Sequence, residues 1–412
     1  MSDHSFQDHL ESFDLRALPD AFYDDPYPFY RALRERCPVY RCPDGSYFVT
    51  RYADVLGVYR DHARLSSDKR VEFAPKFGDG LLYEHHTTSL VFRDPPRHTV
   101  VRKLIHGFFT PRALAAIEPR ITALVDGMLD EFEQTRQMNL IEHYAFSLPA
   151  EVVCDLLGIP PGDRSELRTW ARAILGALEP APAPESIAAG NAAVTCFCAY
   201  LRELAELKRR TGSNTELDVL STLVEAVDRA SAREDDQRIG EAELLHNCIF
   251  MLNAGHETTT NLIGNGVNAL LERPHALARL RANPELLTTA VDELLRFESS
   301  NQLGNRRALC DLCIGGKALP AGALITLCIG AANRDPAQFP DADELVLARQ
   351  PNRHLAFAAG IHTCAGVALA RMEARIAIGR LIQRFPTLHK CGPIERDRRA
   401  RFRVVARLPV AA

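Results

Sequence analysis

The 412-residue sequence has no secretion leader, no long apolar run, no basic excess and no ordered set of cysteines. Each absence removes a class of protein. The opening MSDHSFQDHLESFDL is polar and acidic, without the basic and apolar segments of a signal peptide. No run reaches the roughly 18 apolar residues that a membrane-spanning helix needs. The most apolar helical stretch, 241–272, is interrupted by Asn, His, Glu and Thr. Lys and Arg number 49 against 53 Asp and Glu, so a basic face for nucleic acid is not expected. Eleven cysteines, an odd number without a regular framework, suit a reducing cytoplasm in which most thiols are small buried apolar groups. Internal repeats and low-complexity segments are also missing. These exclusions leave a globular chain expected to be cytoplasmic and monomeric and to engage neither membrane nor nucleic acid.

What is present is an ordinary folded composition, 46% hydrophobic and 25% charged, large enough to enclose a cofactor. A single domain over 1–412 is expected. Alternating residues around Arg41 and Tyr47–Thr50, with the turn Pro43-Asp44-Gly45 between them, predict two strands, and a helix follows from Tyr52. Residues 70–92 show no clear period and read as a loop. Helical spacing then dominates at 112–135, 149–157, 163–178, 185–210, 216–229, 241–272, 275–281 and 284–298. Residues 306–330 predict strands around the turn Pro320-Ala321-Gly322, 335–352 a loop, Ala365–Phe385 a last long helix, and 400–410 an extended tail. The fold class is mostly α with small β-sheets near 40–60, 306–330 and 400–410, not an alternating α/β chain.

Three constellations carry chemistry. In FAAGIHTCAG, Phe357 to Gly366, Cys364 stands just before a long helix, where free N–H groups and the helix dipole favour a thiolate. By itself this pattern is more often a buried structural cysteine. The helix 241–272 carries Asn253, Gly255, His256, Glu257 and three threonines amid apolar spacing. Such low-propensity polar residues break a local rule, as functional segments do, although a kinked helix with buried waters reads equally well. An acid beside a hydroxyl there suits proton relay. A zinc-protease reading of its His-Glu pair fails, because the second histidine would fall at Thr260. Glu293 and Arg296, three apart on one helix face, read in isolation as a surface ion pair.

Taken together and in this order, these segments resemble the cytochrome P450 family in its soluble bacterial form, from about Tyr52 to Val410. The family's cysteine signature Phe-Gly-x-Gly-x-His-x-Cys-x-Gly is matched at Phe357, Gly360, His362, Cys364 and Gly366, with Ala358 replacing the first glycine. An ordinary backbone conformation is expected at Ala358. The long-helix signature is matched by Ala254, Gly255, Glu257, Thr258 and Thr259, and the Glu-x-x-Arg pair by Glu293 and Arg296, with Arg349 as the third member of that structural network.

The resemblance implies the P450 fold, with haem b between the long helix and the segment 357–385, and Cys364 as the axial ligand of its iron. It implies propionate contacts from His98, Arg102, Arg306 and His354, with Arg307 as the alternative to Arg306 by a one-residue slip. Glu257 and Thr258 become the dioxygen-activating pair, beside the small residues Ala254 and Gly255. Electrons from NAD(P)H would arrive through a separate ferredoxin or flavodoxin with its reductase, docking near Arg112, Arg371 and Arg375. The implied reaction is insertion of one atom of O2 into a small to medium, largely hydrophobic molecule by hydroxylation, O-dealkylation or epoxidation. Asn253, Asn301, Gln302 and Val404 are substrate-facing candidates, and the three amides suggest a substrate with a polar group. A peroxide-driven or redox-neutral haem-thiolate enzyme and a non-catalytic haem or recruitment module are the competing readings. Retention of Glu257, Thr258 and Cys364 argues against both.

Overall fold

The structure, a computed structural model, describes residues 13–211, 218–231 and 239–412. The chain forms two compact units, each discontinuous in sequence. The first gathers the chain up to Ser66 with Thr122–Ala145 and Thr258–Ala412; the second gathers Ser67–Ile121 and Phe146–Glu257.

All strands among the described residues belong to the first unit: β1 Val39–Arg41, β2 Tyr47–Val49, β3 Leu65–Ser66, β4 Gln137–Asn139, β5 Leu303–Ala308, β6 Leu312–Ile314, β7 Lys317–Leu319, β8 Leu324–Cys328, β9 His389–Lys390, β10 Glu395–Arg396, β11 Val405–Arg407 and β12 Pro409–Ala411. The main sheet has the order β1-β2-β8-β5-β3; β2 and β8 run parallel and the other pairs antiparallel. Period-two alternation explains its core. Tyr47 and Val49 point into a cluster with Val55, Tyr59, Ile325 and Leu327, whereas Phe48 points the other way into a cluster with Phe13, Phe22, Tyr30 and Leu303. With both faces covered, β2 is buried at every position, and burying Phe48 alone stabilises by about 2–3 kcal/mol. β12 joins β4 to β9 in a second sheet, so the expected extended tail is a pairing strand.

Helices of this unit include Tyr27–Arg36, Tyr52–Arg60, Pro274–Ala282, Leu287–Phe297 and Val367–Arg384. The last is pinned at its exposed side by Arg380 on Asp126 and Arg384 on Asp130 and Glu133, and Phe132 packs on Phe385 at its end. The Tyr144 hydroxyl donates to Ala377 O at 2.7 Å.

The second unit is helical: Arg70–Phe77, Leu81–Thr88, Arg97–His106, Ser147–Leu156, Arg164–Gly176, Pro184–Thr211 and Val219–Ser231. The helix expected at 216–229 is the last of these, and positions 216 and 217 lie outside the described residues. The long helix Glu241–Leu271 runs from this unit into the first. The loop expected at 70–92 is instead two short helices and a 3₁₀ turn, Leu90–Phe92. Each helix is eight residues, too short to persist on propensity alone, and Pro75, Gly78 and Gly80 obscure the periodicity. Tertiary contacts hold them. Leu82 N–H donates to Asn191 Oδ1 and Leu90 N–H to Asn247 Oδ1, both at 2.9 Å. Phe73, Phe77 and Phe92 surround the His86 ring.

Candidate active site

In the first unit the segment before helix Val367–Arg384 presents Cys364. Gly360–His362 forms a 3₁₀ turn, and Gly366 caps the helix. The Cys364 N–H donates to Phe357 O at 3.0 Å, and Thr363 N–H and Oγ1 both donate to Gly360 O. Gly360 has φ +73°, and a Cβ there would collide with the Tyr59 carbonyl oxygen. Only glycine fits both demands. Ala358 has φ +57°, in the left-handed region. This corrects the expectation of an ordinary conformation. The loop keeps the shape that a glycine would take, Ala358 N–H donating to Leu355 O at 2.8 Å, and carries the strain. Cys364 itself is exposed. Five buried or half-buried cysteines behave differently. Burial pushes the thiol pKa of Cys42 and Cys198 up to about 11 and of Cys154, Cys248 and Cys328 up to about 12. An exposed thiol near a helix start, behind a rigid loop, is the donor that a haem iron accepts.

Phe357 is half-buried, its ring beside the Arg371 guanidinium at 5.4 Å and the His354 ring at 5.7 Å. His354 Nε2 meets Asp292 Oδ1 at 3.3 Å, and its Nδ1 accepts from Ala356 N–H at 3.3 Å. Both ring nitrogens thus have partners within the protein. Arg371 Nε also donates to Asp292, at 2.7 Å. Burial alone would raise the Asp292 carboxyl, and the bonds from His354 and Arg371 outweigh it, holding its pKa below the usual range. Asp292 was not singled out in the sequence, where the neighbouring Glu293 carries the motif.

β5 separates the two candidate arginines. Arg306 lies on the side of Ala308, buried, its guanidinium 5.1 Å from the centre of the Tyr59 ring and donating to Asn305 O at 2.7 Å. Arg307 points to the opposite face, half-exposed, and donates to Gly322 O at 2.7 Å.

The Glu293–Arg296 pair is fully buried, not on the surface. Arg296 donates Nε and Nη2 to the two carboxylate oxygens at 2.8 Å each, and its remaining donors reach Asn333 O, Ala342 O and Glu344 O. Arg349 Nε reaches Glu293 at 3.0 Å, with Nη1 on Pro340 O and Nη2 on Asp341 O. Val346 N–H and Asn352 Nδ2 complete the carboxylate's shell. The network fastens the irregular segment 333–352 to helix Leu287–Phe297.

Within helix Glu241–Leu271, every residue from Leu244 to Leu270 is buried except Phe250, Ala254, Gly255, Glu257 and Thr258. Positions 250, 254, 257 and 258 share one face. Between Leu244 and Leu270, accessible surface is therefore confined to Phe250 and a run of small, acidic and hydroxyl residues. Gly255 lies at its margin. A Cβ there would stand 2.7 Å from Val153 Cγ2, so this glycine admits helix Ser147–Leu156, where room for dioxygen had been expected. Asn253 is buried off the stripe, and among the described residues nothing bonds its Oδ1. His256 faces away, edge-on to Phe146 at 4.2 Å between ring centres. Burial, then Arg168 and Arg172, lower its pKa to about 3. In the second unit His98 is buried and Arg102 half-exposed, one turn apart on Arg97–His106.

Two of the amides expected to face substrate bond backbone carbonyls. Gln302 Nε2 donates to Ser299 O at 2.6 Å, with its side chain against Gly330. The Asn301 amide, turned so that nitrogen donates, reaches Leu303 O and Arg401 O at 3.2 Å each, where Asn301 bridges to Phe402. Both tie backbone segments together, and the inference of a polar substrate loses that support. Val404 is half-exposed, and its carbonyl accepts from Asp397 N–H.

The cytochrome P450 family profile matches residues 23–399. The chain belongs to the cytochrome P450 family. Vitamin D(3) 25-hydroxylase of Pseudonocardia autotrophica is 39% identical over 373 residues, covering 89% of this chain and 88% of that protein. The biotin biosynthesis cytochrome P450 of Bacillus subtilis (strain 168) is 35% identical over 371 residues, covering 89% and 91%. The crystal structure of P450BioI in complex with an acyl carrier protein ligated to hexadec-9Z-enoic acid superposes with a TM-score of 0.89 at 34% identity, covering 96% of this chain and 100% of that one. This P450 has the family's fold and is an oxidoreductase of the bacterial monooxygenase type. Membership carries haem iron and use of O2 with it. No helix among the described residues is long and apolar enough to cross a membrane.

Proposed function

We propose that this P450 hydroxylates a small to medium, largely hydrophobic molecule with dioxygen, with Cys364 as the residue whose thiolate would hold the haem and the Glu257–Thr258 face as its proton path. The observation that carries this reading is the exposed Cys364 on a rigid loop, together with the stripe of accessible residues on helix Glu241–Leu271 that includes both Glu257 and Thr258. Haem held there supplies oxygen activation and C–H oxidation, while the chain supplies ligand, orientation and protons. Cys364 Sγ would bind the iron. Arg306, kept on the Tyr59 face of β5, would bind a propionate by a charge-assisted bond, with His98 and Arg102 as further partners. The Thr258 hydroxyl holds a hydrogen bond on the accessible face. The Glu257 carboxyl, one residue away, takes up and releases protons beside it.

The hydrophobic substrate class is supported by the vitamin D(3) and the hexadec-9Z-enoic acid that the relatives' names carry. Electrons would come from NAD(P)H through a separate ferredoxin or flavodoxin system. Arg375, which is exposed, and Arg371 in the first unit, and exposed Arg112 in the second, are the cationic groups proposed to steer that acidic partner.

The test is spectral and kinetic. The reduced, carbon-monoxide-bound protein is expected to show the long-wavelength Soret band of thiolate ligation, and Cys364→Ser to lose it; a histidine-type band in the native protein would overturn the assignment. Thr258→Ala is expected to keep consuming electrons while product yield per electron drops several-fold. Unchanged coupling would remove the proton path and favour a peroxide-driven route. Arg306→Gln is expected to weaken haem retention and Arg307→Gln to leave it unaltered.

A further inference from the structure

A cavity lies wholly within the first unit, with a volume of about 320 Å³. Its walls are the start of helix Tyr27–Arg36, the C-terminal end of helix Glu241–Leu271, Phe297 with Glu298, and Arg334, Arg396 and Arg403. Almost every lining residue is charged or polar, unlike an apolar substrate site.

Most of the charges are already matched. Arg334 is held between the rings of Tyr27 and Phe297, at 3.7 and 3.8 Å, and donates to Phe297 O. Arg403 donates to Glu298, Tyr23 O and Asp24 O. Glu272 accepts from Asn268 Nδ2 and Lys390 Nζ, at 3.2 Å each, and Asp343 from Arg31. Two groups remain. Arg396 Nη1 and Asn268 Oδ1 are shielded from solvent, and among the described residues neither has a hydrogen-bond partner. Asn268 is only 3% exposed. Arg396 sits where the pairing of β10 with β11 shifts register, the kind of irregularity that re-aims a side chain. A buried guanidinium nitrogen and a buried amide oxygen left unmade in one cavity are costly unless something bonds them.

We propose that this cavity binds a small hydroxylated monocarboxylate, its carboxylate on Arg396 and a hydroxyl donating to Asn268 Oδ1. One uncommitted guanidinium matches one negative charge. The lining carries one more carboxylate than guanidinium, a balance that disfavours a dianion. The unmatched acceptor asks for a donor, which a bare carboxylate lacks.

Gluconate is a suitable probe, measured by calorimetric titration into the haem-loaded protein. Saturable binding is expected, at least tenfold tighter than acetate, sorbitol or phosphate. Arg396→Met and Asn268→Leu should each weaken it about tenfold or more, and Arg396→Lys by less than Arg396→Met. The carbon-monoxide spectrum of each variant checks that it is folded. No saturable binding, equal binding by acetate or sorbitol, tighter binding of phosphate, or affinity unchanged in a folded Arg396→Met protein would each overturn the proposal; the last three point to a generic ion or solvent effect.

Discussion

One set of buried ionisable groups in each unit shows the opposite means of accommodating them. In the first, Glu293 and Arg296 keep their charges at zero exposure because every lone pair and N–H meets a partner. In the second, His85, His246 and His256 are buried as rings among other rings, and burial foremost lowers the pKa of each, that of His85 well below the ordinary value. Burying a charge costs several kcal/mol unless it is paired or discharged. Pairing demands fixed geometry and suits a scaffold that must hold a ligand loop. Discharge demands none and suits helices whose sequence has little period, such as Arg70–Phe77 and Leu81–Thr88.

The largest test of this contrast removes one partner on each side. Glu293→Ala would leave Arg296 and part of Arg349 buried without their carboxylate. The expected loss is about 3–5 kcal/mol in urea unfolding, with haem retention falling alongside. His85→Phe in the second unit replaces a neutral ring by a ring of similar size and should change stability by less than about 1 kcal/mol. Comparable losses from both substitutions would erase the distinction.

A second test uses pH, and the two units should respond in opposite directions. In the first unit Glu373 is buried, and burial raises its pKa to about 8 from 4.5. Between those values the folded protein retains a proton that the unfolded chain has released, so stability falls as pH rises. The loss is about 3 kcal/mol between pH 5 and pH 8, and Glu373→Gln should flatten it. In the second unit His256 has a folded pKa of about 3 against 6.5. There the unfolded chain binds the extra proton, so stability is present above 6.5 and is lost as pH falls toward 3. His256→Phe should flatten that acid limb alone. Melting temperatures across pH for both variants decide it; one variant flattening both limbs would contradict separate origins.

The same contrast explains what the sequence revealed. Cys364, Gly360, Glu293, Arg296 and Arg349 stand out because their roles require one residue type each, and the structure places the last three in a single network. β1, β2 and β8 were readable because turn residues and alternation agree with burial. The helices between 70 and 92 were not, since contacts from Asn191 and Asn247, more than a hundred residues away, hold them. Asn301 and Gln302 were not readable for a related reason. An amide in the chain does not disclose whether it serves a ligand or a neighbouring carbonyl, and both serve carbonyls. Likewise, nothing local in the sequence announces Asp292 as a partner of His354.

The smallest expected effect is also the one whose sign is least obvious. Gly360 and Ala358 both have positive φ in the ligand loop, yet they should respond oppositely to the exchange of Gly and Ala. Gly360→Ala adds a methyl against the Tyr59 carbonyl in a conformation alanine resists, and about 2 kcal/mol of stability should be lost. Ala358→Gly removes left-handed strain of about 1–2 kcal/mol but gives the unfolded chain about 0.5–1 kcal/mol more conformational freedom. The balance is a gain of about 0.5 kcal/mol, readable as a small rise in melting temperature with the carbon-monoxide spectrum unchanged. A loss instead would mean that the Ala358 methyl contributes more by packing against the apolar cluster beneath the main sheet than its backbone costs, a contact the structure does provide. The sign therefore weighs backbone strain against methyl burial at a single position, six residues before Cys364.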